Sequence, residues 1–203
     1  ALKIYHYDTP VPLTERVPLL ENMGFRVISE RTFEVGDADD TDSAQIFVHD
    51  MELENAFDGA IDLSDEGALF EEMFLSVWRS EHDDDRLNAL AQTARLRVDE
   101  IAILRAYSRF LAQANIPQSQ GFIAATLNRY PQIARRLFEF FVVRFDPARA
   151  EKASAKDEAE ALCKAIETDL DAVPNLDDDT IIRRFLNLIE STLRTNHYRP
   201  KED

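Results

Sequence analysis

Between Val98 and Phe145, hydrophobic positions recur at helical spacing in three successive blocks, and the flanking residues mark the ends of each block. The first block aligns Ile101, Leu104, Ser108 and Leu111, widened by Ile103, Tyr107 and Phe110, and stops where Asn115 and Pro117 follow. The second opens with Ser119 as N-cap and aligns Phe122, Ile123 and Leu127. It ends at Tyr130, because a residue before proline disfavours the α region. Pro131 starts the third, since its missing N–H needs no partner at the first helical position. From there Ile133, Ala134, Leu137, Phe138, Phe141, Val142 and Phe145 form the widest apolar stripe of the chain, which closes at Asp146-Pro147.

The N-terminal pattern has period two. Leu2 to Asp8 alternates as a strand, with Leu2, Ile4 and His6 on one side. A helix follows, with Thr14 as its cap, Pro18 in the first turn and Val17, Leu20 and Met23 on one face. Gly24 supplies its left-handed end. Phe25 to Val35 sets Phe25, Val27, Phe33 and Val35 against Arg26, Glu30 and Glu34, and Gln45 to Leu53 reads as a third strand. The short polar link GDADDTDSA makes the last two an antiparallel hairpin. Ser64 then caps a helix striped with Leu69, Phe70, Met73, Phe74, Val77 and Trp78, able to cover the sheet. Beyond it only helices are predicted: a short one at Leu87 to Ala94, the central three, one from Ala155 to Ala172 and a last from Thr180 to Thr195. The expected fold is α+β, a β-α-β-β unit over 1–63 followed by a helical domain over 64–203, with a soft boundary near 147–156 in the charged, alanine-rich PARAEKASAKDEAEA.

A formal net charge of -16 argues against nucleic acid and against an anionic membrane surface, since both need clustered Lys and Arg. No apolar run approaches the ~20 residues of a membrane span, and the start ALKIYHYD lacks a signal pattern, so the expected location is the cytoplasm. The one cysteine agrees with a reducing compartment.

Candidate chemistry is sparse. Asp37, Asp39, Asp40 and Asp42 invite a calcium reading, but an EF-hand counted from Asp37 would need Gly and Glu where Asp42 and Val48 stand, so a solvated hairpin tip is expected. His6, His49, His82 and His197 lack ligand spacing and read as structural. Cys163 falls with Ala159, Leu162, Ile166 and Leu170 on an apolar face, where burial is expected. The pairs Arg135-Arg136 and Arg183-Arg184, with Arg105 and Arg109, read first as partners of surface carboxylates. Gly24, Gly36, Gly59, Gly67 and Gly121 stand singly, so there is no phosphate-cradling turn for a dinucleotide.

The runs VPLTERVPLLENMGFRVISERTFEV, FEEMFLSVWRSE, ILRAYSRFLAQANIPQSQGFIAATLNRYPQIARRLFEFFVVRFDP and IIRRFLNLIESTLRTNHYRP resemble consecutive blocks of the large bacterial NAD-specific glutamate dehydrogenases. LLENMGFRVI, LRAYSRFL, RFDP and TLRTN carry the resemblance, which covers most of the chain. It implies an internal segment: an ACT-like, ferredoxin-like unit, then the helical region leading into a catalytic domain that lies beyond TLRTN. A complete ACT fold is β-α-β-β-α-β, so the unit is incomplete or borrows a strand, and EHDDDR departs from a Gly- and Asn-containing turn of the family. Lys3, Lys152, Lys156, Lys164 and Lys201 are the only lysines, none beside a glycine, and no catalytic, metal-binding or NAD-binding residue carries over.

The implied role is regulation and assembly of an enzyme that uses NAD to deaminate glutamate to 2-oxoglutarate and ammonia. Its implied partners are the catalytic domain of the same chain, sister subunits and a small amino-acid effector. Arg183, Arg184 and Arg194 on the last helix are the expected interdomain docking residues. The rival is a stand-alone helical adaptor with no attached enzyme, separated from the first by whether a Gly-rich NAD domain follows in the same reading frame. A hydrolase or metalloenzyme lacks a supporting constellation.

Overall fold

The computed structural model describes residues 1–36, 45–57, 59–114 and 116–199. Asn115 and the acidic hairpin tip with Asp37, Asp39, Asp40 and Asp42 lie outside the described residues. The chain divides into two compact units, Ala1–Gln92 and Thr93–Asp203.

In the first unit β1 (Leu2–Tyr7), α1 (Leu13–Asn22), β2 (Phe25–Val35), β3 (Ile46–Asn55) and α2 (Leu63–Trp78) follow in order. The sheet is antiparallel with order β1-β3-β2. This is the expected ACT-like β-α-β-β arrangement, with three strands among the described residues. Phe70 of α2 meets Phe25 edge-on at 5.3 Å, and Trp78 meets His6 edge-on at 6.2 Å, so α2 covers the inner face. A 3₁₀ turn at Arg86–Ala89, capped by Asp85, continues into α3 (Leu90–Thr93).

Three local expectations are corrected. α1 begins at Leu13, so Pro18 sits inside the helix and not in its first turn. α2 is capped by Asp62, whose carboxylate accepts from the Ser64 N–H at 3.0 Å and the Ser64 hydroxyl at 2.6 Å. The cap-like serine is itself held by the true cap. The largest correction concerns β2. Val27 pairs with Leu53 and Ser29 with Glu52, which leaves Ile28 as a bulge. Because side chains alternate with period two, one extra residue exchanges the faces of everything beyond it. Phe33 and Val35 therefore face outward at 49% and 52% exposure, and Glu30 and Thr32 face inward opposite Met51 and His49.

The second unit is helical: α4 (Val98–Gln113), α5 (Gln120–Arg129), α6 (Pro131–Phe145), α7 (Pro147–Ala150), α8 (Ala155–Leu170) and α9 (Leu176–Ser191). Ser119 caps α5 through the Phe122 N–H, and Pro131 opens α6, as the sequence predicts. α6 packs against α4, α5, α8 and α9. It buries Phe140 and Val143 as well as Ile133, Ala134, Leu137 and Phe141, so its apolar surface is wider than one stripe. Ile101, Leu104, Leu127, Leu137, Ile181 and Phe185 are fully buried in this core. Each such side chain contributes about 1.5–3 kcal/mol by leaving water. α9 starts four residues before the predicted Thr180, because Asn175 accepts from the Asp177 and Asp178 N–H groups. It ends at Ser191, where Thr192 turns extended.

Candidate functional site

The chemistry of the first unit is concentrated where α1 crosses the inner face of the sheet. Arg16 lies on the same helical stripe as Leu19, Leu20 and Met23 and is only 2% exposed. Its Nη2 meets Glu30 Oε1 at 2.7 Å, and its Nη1 donates to the Val11 carbonyl. His49, fully buried on β3, accepts from the Val11 N–H through Nε2 at 3.1 Å. A neutral imidazole with Nε2 accepting carries its proton on Nδ1. Nδ1 then donates to Thr32 Oγ1 at 2.8 Å, and Thr32 donates to Glu30 Oε1 at 2.5 Å. The bonds close into a ring through Val11, His49, Thr32, Glu30 and Arg16. Both main-chain polar atoms of Val11, in the β1–α1 loop, are held, the N–H by β3 and the carbonyl by α1.

Electrostatics holds this state. Burial pushes the His49 pKa down, and the Arg16 guanidinium 2.7 Å from Nδ1 pushes it further, so the imidazole stays neutral. Burial alone would raise the Glu30 carboxyl; hydrogen bonds from Thr32 and His49, with the charge of Arg16, outweigh it and hold the pKa below the usual value. Arg16 Nε is buried without a hydrogen-bond partner among the described residues. Two signals in the sequence point to this centre: Arg16 sits at i−3, i−4 and i−7 from three core residues, and His49 shares a period-two face with Phe47, Met51 and Leu53.

The second unit has a buried carboxylate of its own. Asp178, fully buried in the first turn of α9, accepts from Thr126 Oγ1 at 2.8 Å, from Arg129 Nη1 and from the Tyr130 hydroxyl at 3.3 Å. It ties α9 to the end of α5, and burial together with its charge raises the Tyr130 pKa.

The expected docking arginines do not form one cluster. Arg183 is exposed and paired within its own helix, Nε lying 3.0 and 2.9 Å from the Asp179 carboxylate oxygens. Arg184 is exposed beside it. Arg194 lies past the end of α9, not on it, and lines a cavity of about 860 Å³ with Tyr107, Phe110, Phe141, Thr192 and His197. Of the other arginine pairs, Arg136 binds Asp169 and Arg135 reaches Glu139 at 3.4 Å and the Ala94 carbonyl at 2.8 Å. Cys163 is half-buried, not buried; burial, then the Glu190 carboxylate 3.5 Å from its sulfur, pushes the thiol up to about 11.

Among the described residues no group of three or more His, Cys, Asp or Glu is placed to hold a metal, and no helix is long and apolar enough to cross a membrane.

Comparison with known proteins places these features in a longer polypeptide. Residues 1–66 match the glutamate dehydrogenase ACT3 domain, 82–147 glutamate dehydrogenase helical motif 3, and 165–203 the catalytic domain of bacterial NAD-glutamate dehydrogenase. The NAD-specific glutamate dehydrogenase of Halomonas elongata is 41% identical over 202 residues, covering 100% of this chain and 12% of its own length. Its namesakes in Pseudomonas aeruginosa and Mycobacterium tuberculosis are 36% and 32% identical over 98% and 92% of this chain, again 12% of their own lengths. The chain belongs to the NAD-specific glutamate dehydrogenase family. It spans about 12% of the curated relatives it matches. The catalytic-domain match of this glutamate dehydrogenase segment begins inside α8. The expectation that the catalytic region lies wholly beyond TLRTN is therefore corrected: α9 and TLRTN fall within it.

Proposed function

We propose that this chain is a regulatory and assembly segment of a cytoplasmic, NAD-dependent glutamate dehydrogenase whose full-length form deaminates L-glutamate to 2-oxoglutarate and ammonia. The segment itself contributes no catalytic or NAD-binding residue. The observation that carries the reading is the outer face of the sheet. Tyr5, Val48 and Phe33 line up across the strands, as do Tyr7, Ile46 and Val35, and Tyr5 and Tyr7 are 64% and 62% exposed. An exposed apolar face of this kind marks an interaction surface, which suits a module that seats against other domains or sister subunits. Arg183, Arg184 and Arg194 serve the same end by meeting the remainder of the catalytic domain. The pinned β1–α1 loop gives the unit a rigid frame for a small amino-acid effector.

The test uses full-length enzyme carrying Tyr7→Ser with Phe33→Ser. Sedimentation velocity is expected to show partial or complete loss of the native assembly, with circular dichroism unchanged. An assembly as stable as the parent's, with unchanged activity also in an Arg183→Ala, Arg184→Ala, Arg194→Ala variant, refutes the proposal.

A further inference from the structure

The second unit holds a cavity of about 860 Å³ between α4 and the stretch that follows α9. Pockets for small molecules measure about 300–1,000 Å³ and are mostly apolar, with a few converging polar groups. The walls here are Ile103, Ala106 and Phe110 of α4, Phe141 of α6 and Leu188 of α9. Phe110 is 54% exposed, so half of a large aromatic ring is left to water. The polar side of the cavity comes from the stretch Thr192 to His197, which is anchored at both ends. The Thr192 hydroxyl donates to the Leu188 carbonyl at 2.7 Å, which leaves its oxygen to accept from the Tyr107 hydroxyl at 3.0 Å. His197 meets Phe141 edge-on at 5.9 Å, and Tyr198 stacks on the same ring at 6.2 Å. Between these anchors the side chains of Arg194 and Asn196 line the cavity, with no hydrogen bond or ion pair among the described residues. The chain has 39 Asp and Glu against 23 Lys and Arg, and Arg16, Arg129, Arg136 and Arg149 each meet a carboxylate. None of the described carboxylates lines this cavity.

A guanidinium and an amide at the edge of an apolar cavity suit a carboxylate that carries an apolar body. The planar fork of Arg194 matches two carboxylate oxygens, and Asn196 adds a donor. The same residues reject two relatives of that ligand. An α-amino acid would bring its ammonium group to a rim that holds a guanidinium and no carboxylate. A dicarboxylate would press its second charge against Ile103, Phe110 and Leu188, where nothing pairs it. We infer that this cavity binds a small monocarboxylate with an aromatic or branched aliphatic body and no ammonium group, its carboxylate on Arg194 and Asn196 and its body against Phe110 and Phe141. The inference goes beyond the assembly reading. There Arg194 meets the remainder of the catalytic domain; a bound carboxylate engages the same guanidinium, so ligand and docking compete for it.

The test is equilibrium dialysis of 3-phenylpropionate against the full-length enzyme, with 2-oxoglutarate present to fill the parent's own substrate site. Arg194→Met is expected to weaken binding at least about 10-fold, the worth of a hydrogen bond to a charged group. Ala106→Trp fills the cavity from an exposed position and leaves Arg194 and Asn196 in place, and it is expected to weaken binding at least as much. L-Phenylalanine has the same body and carboxylate with an ammonium added, and it is expected to compete at least about 10-fold more weakly. Photolabelling by 4-benzoylbenzoate is expected to mark 102–110 or 188–197, and 3-phenylpropionate to suppress the label. Absence of saturable binding, label confined to other peptides, equal competition by L-phenylalanine, or an affinity unchanged in either variant overturns the inference. Ala106→Trp keeps all three docking arginines, so a failure of the docking reading is seen separately, in the activity of the Arg183→Ala, Arg184→Ala, Arg194→Ala variant.

Discussion

Replacing Glu30 with Gln removes the negative charge that pairs with the buried Arg16 guanidinium while preserving shape. Breaking a buried pair by deleting one partner costs about 3–5 kcal/mol, because the remaining charge is left uncompensated. Glu30 keeps 16% side-chain exposure, and Thr32 can still donate to the Gln oxygen, so the lower end, about 3 kcal/mol, applies. That is roughly a 150-fold rise in the unfolding constant. Trp78 is the sole tryptophan, and it stacks on Phe74 at 6.1 Å in the same unit, so its fluorescence reports the unfolding of that unit. A urea titration should move its midpoint down by roughly 2 M, taking a slope near 1.5 kcal/mol/M. The coupling is isolated by a cycle with Arg16→Met: once the guanidinium is gone, Glu30→Gln should cost far less. A midpoint within experimental error of the parent, or an equal cost with and without Arg16, refutes the claim that the pair holds the loop.

His49 gives the same unit a pH dependence of definite sign. Its folded pKa is lowered, so between that value and the unfolded value near 6.5 the unfolded chain binds more protons. Stability is then complete above about pH 7 and falls as pH drops through this window, with the lowered carboxyl of Glu30 adding a further loss below about pH 4.5; denaturation midpoints measured from pH 8 to 4 check it. Gly24→Ala should destabilise by about 2 kcal/mol or more, read by thermal unfolding, since φ is +87° and a Cβ would stand 2.7 Å from the Phe57 ring and 2.5 Å from Gln92 Oε1. Cys163 should react with a maleimide at pH 7.5 roughly two orders of magnitude more slowly than a free thiol, because its pKa is raised to about 11, and Glu190→Gln should speed it.

The helical half was legible because its boundaries are local chemistry. Ser119, Pro131 and Asp146 act within a turn of where they stand, and the period of the apolar residues between them is unmistakable. The start of α9 is hidden in the sequence because Asn175, just after a proline, caps a turn made of three aspartates with no apolar stripe of their own. The faces of β2 are hidden for a deeper reason. Its odd positions carry Phe25, Val27, Phe33 and Val35 at the two ends with Ser29 and Arg31 between them, and only the pairing with β3 reveals that Ile28 shifts the alternation. The ionic centre followed the same fate, since Glu30 looks solvent-facing until the bulge turns it inward.

That bulge sets the register of β2 against β3 beyond Val27. Run without the extra residue, Phe33 would fall opposite Phe47 and return to the interior, the arrangement its hydrophobicity suggests; but Arg31 would then come in opposite His49, beside Arg16. Two guanidinium groups would face each other where a guanidinium now faces a carboxylate. The charge at position 16 favours the register in which Glu30 reaches it. The same register turns Phe33 and Val35 outward, so the pair inside the sheet and the aromatic face outside it come together.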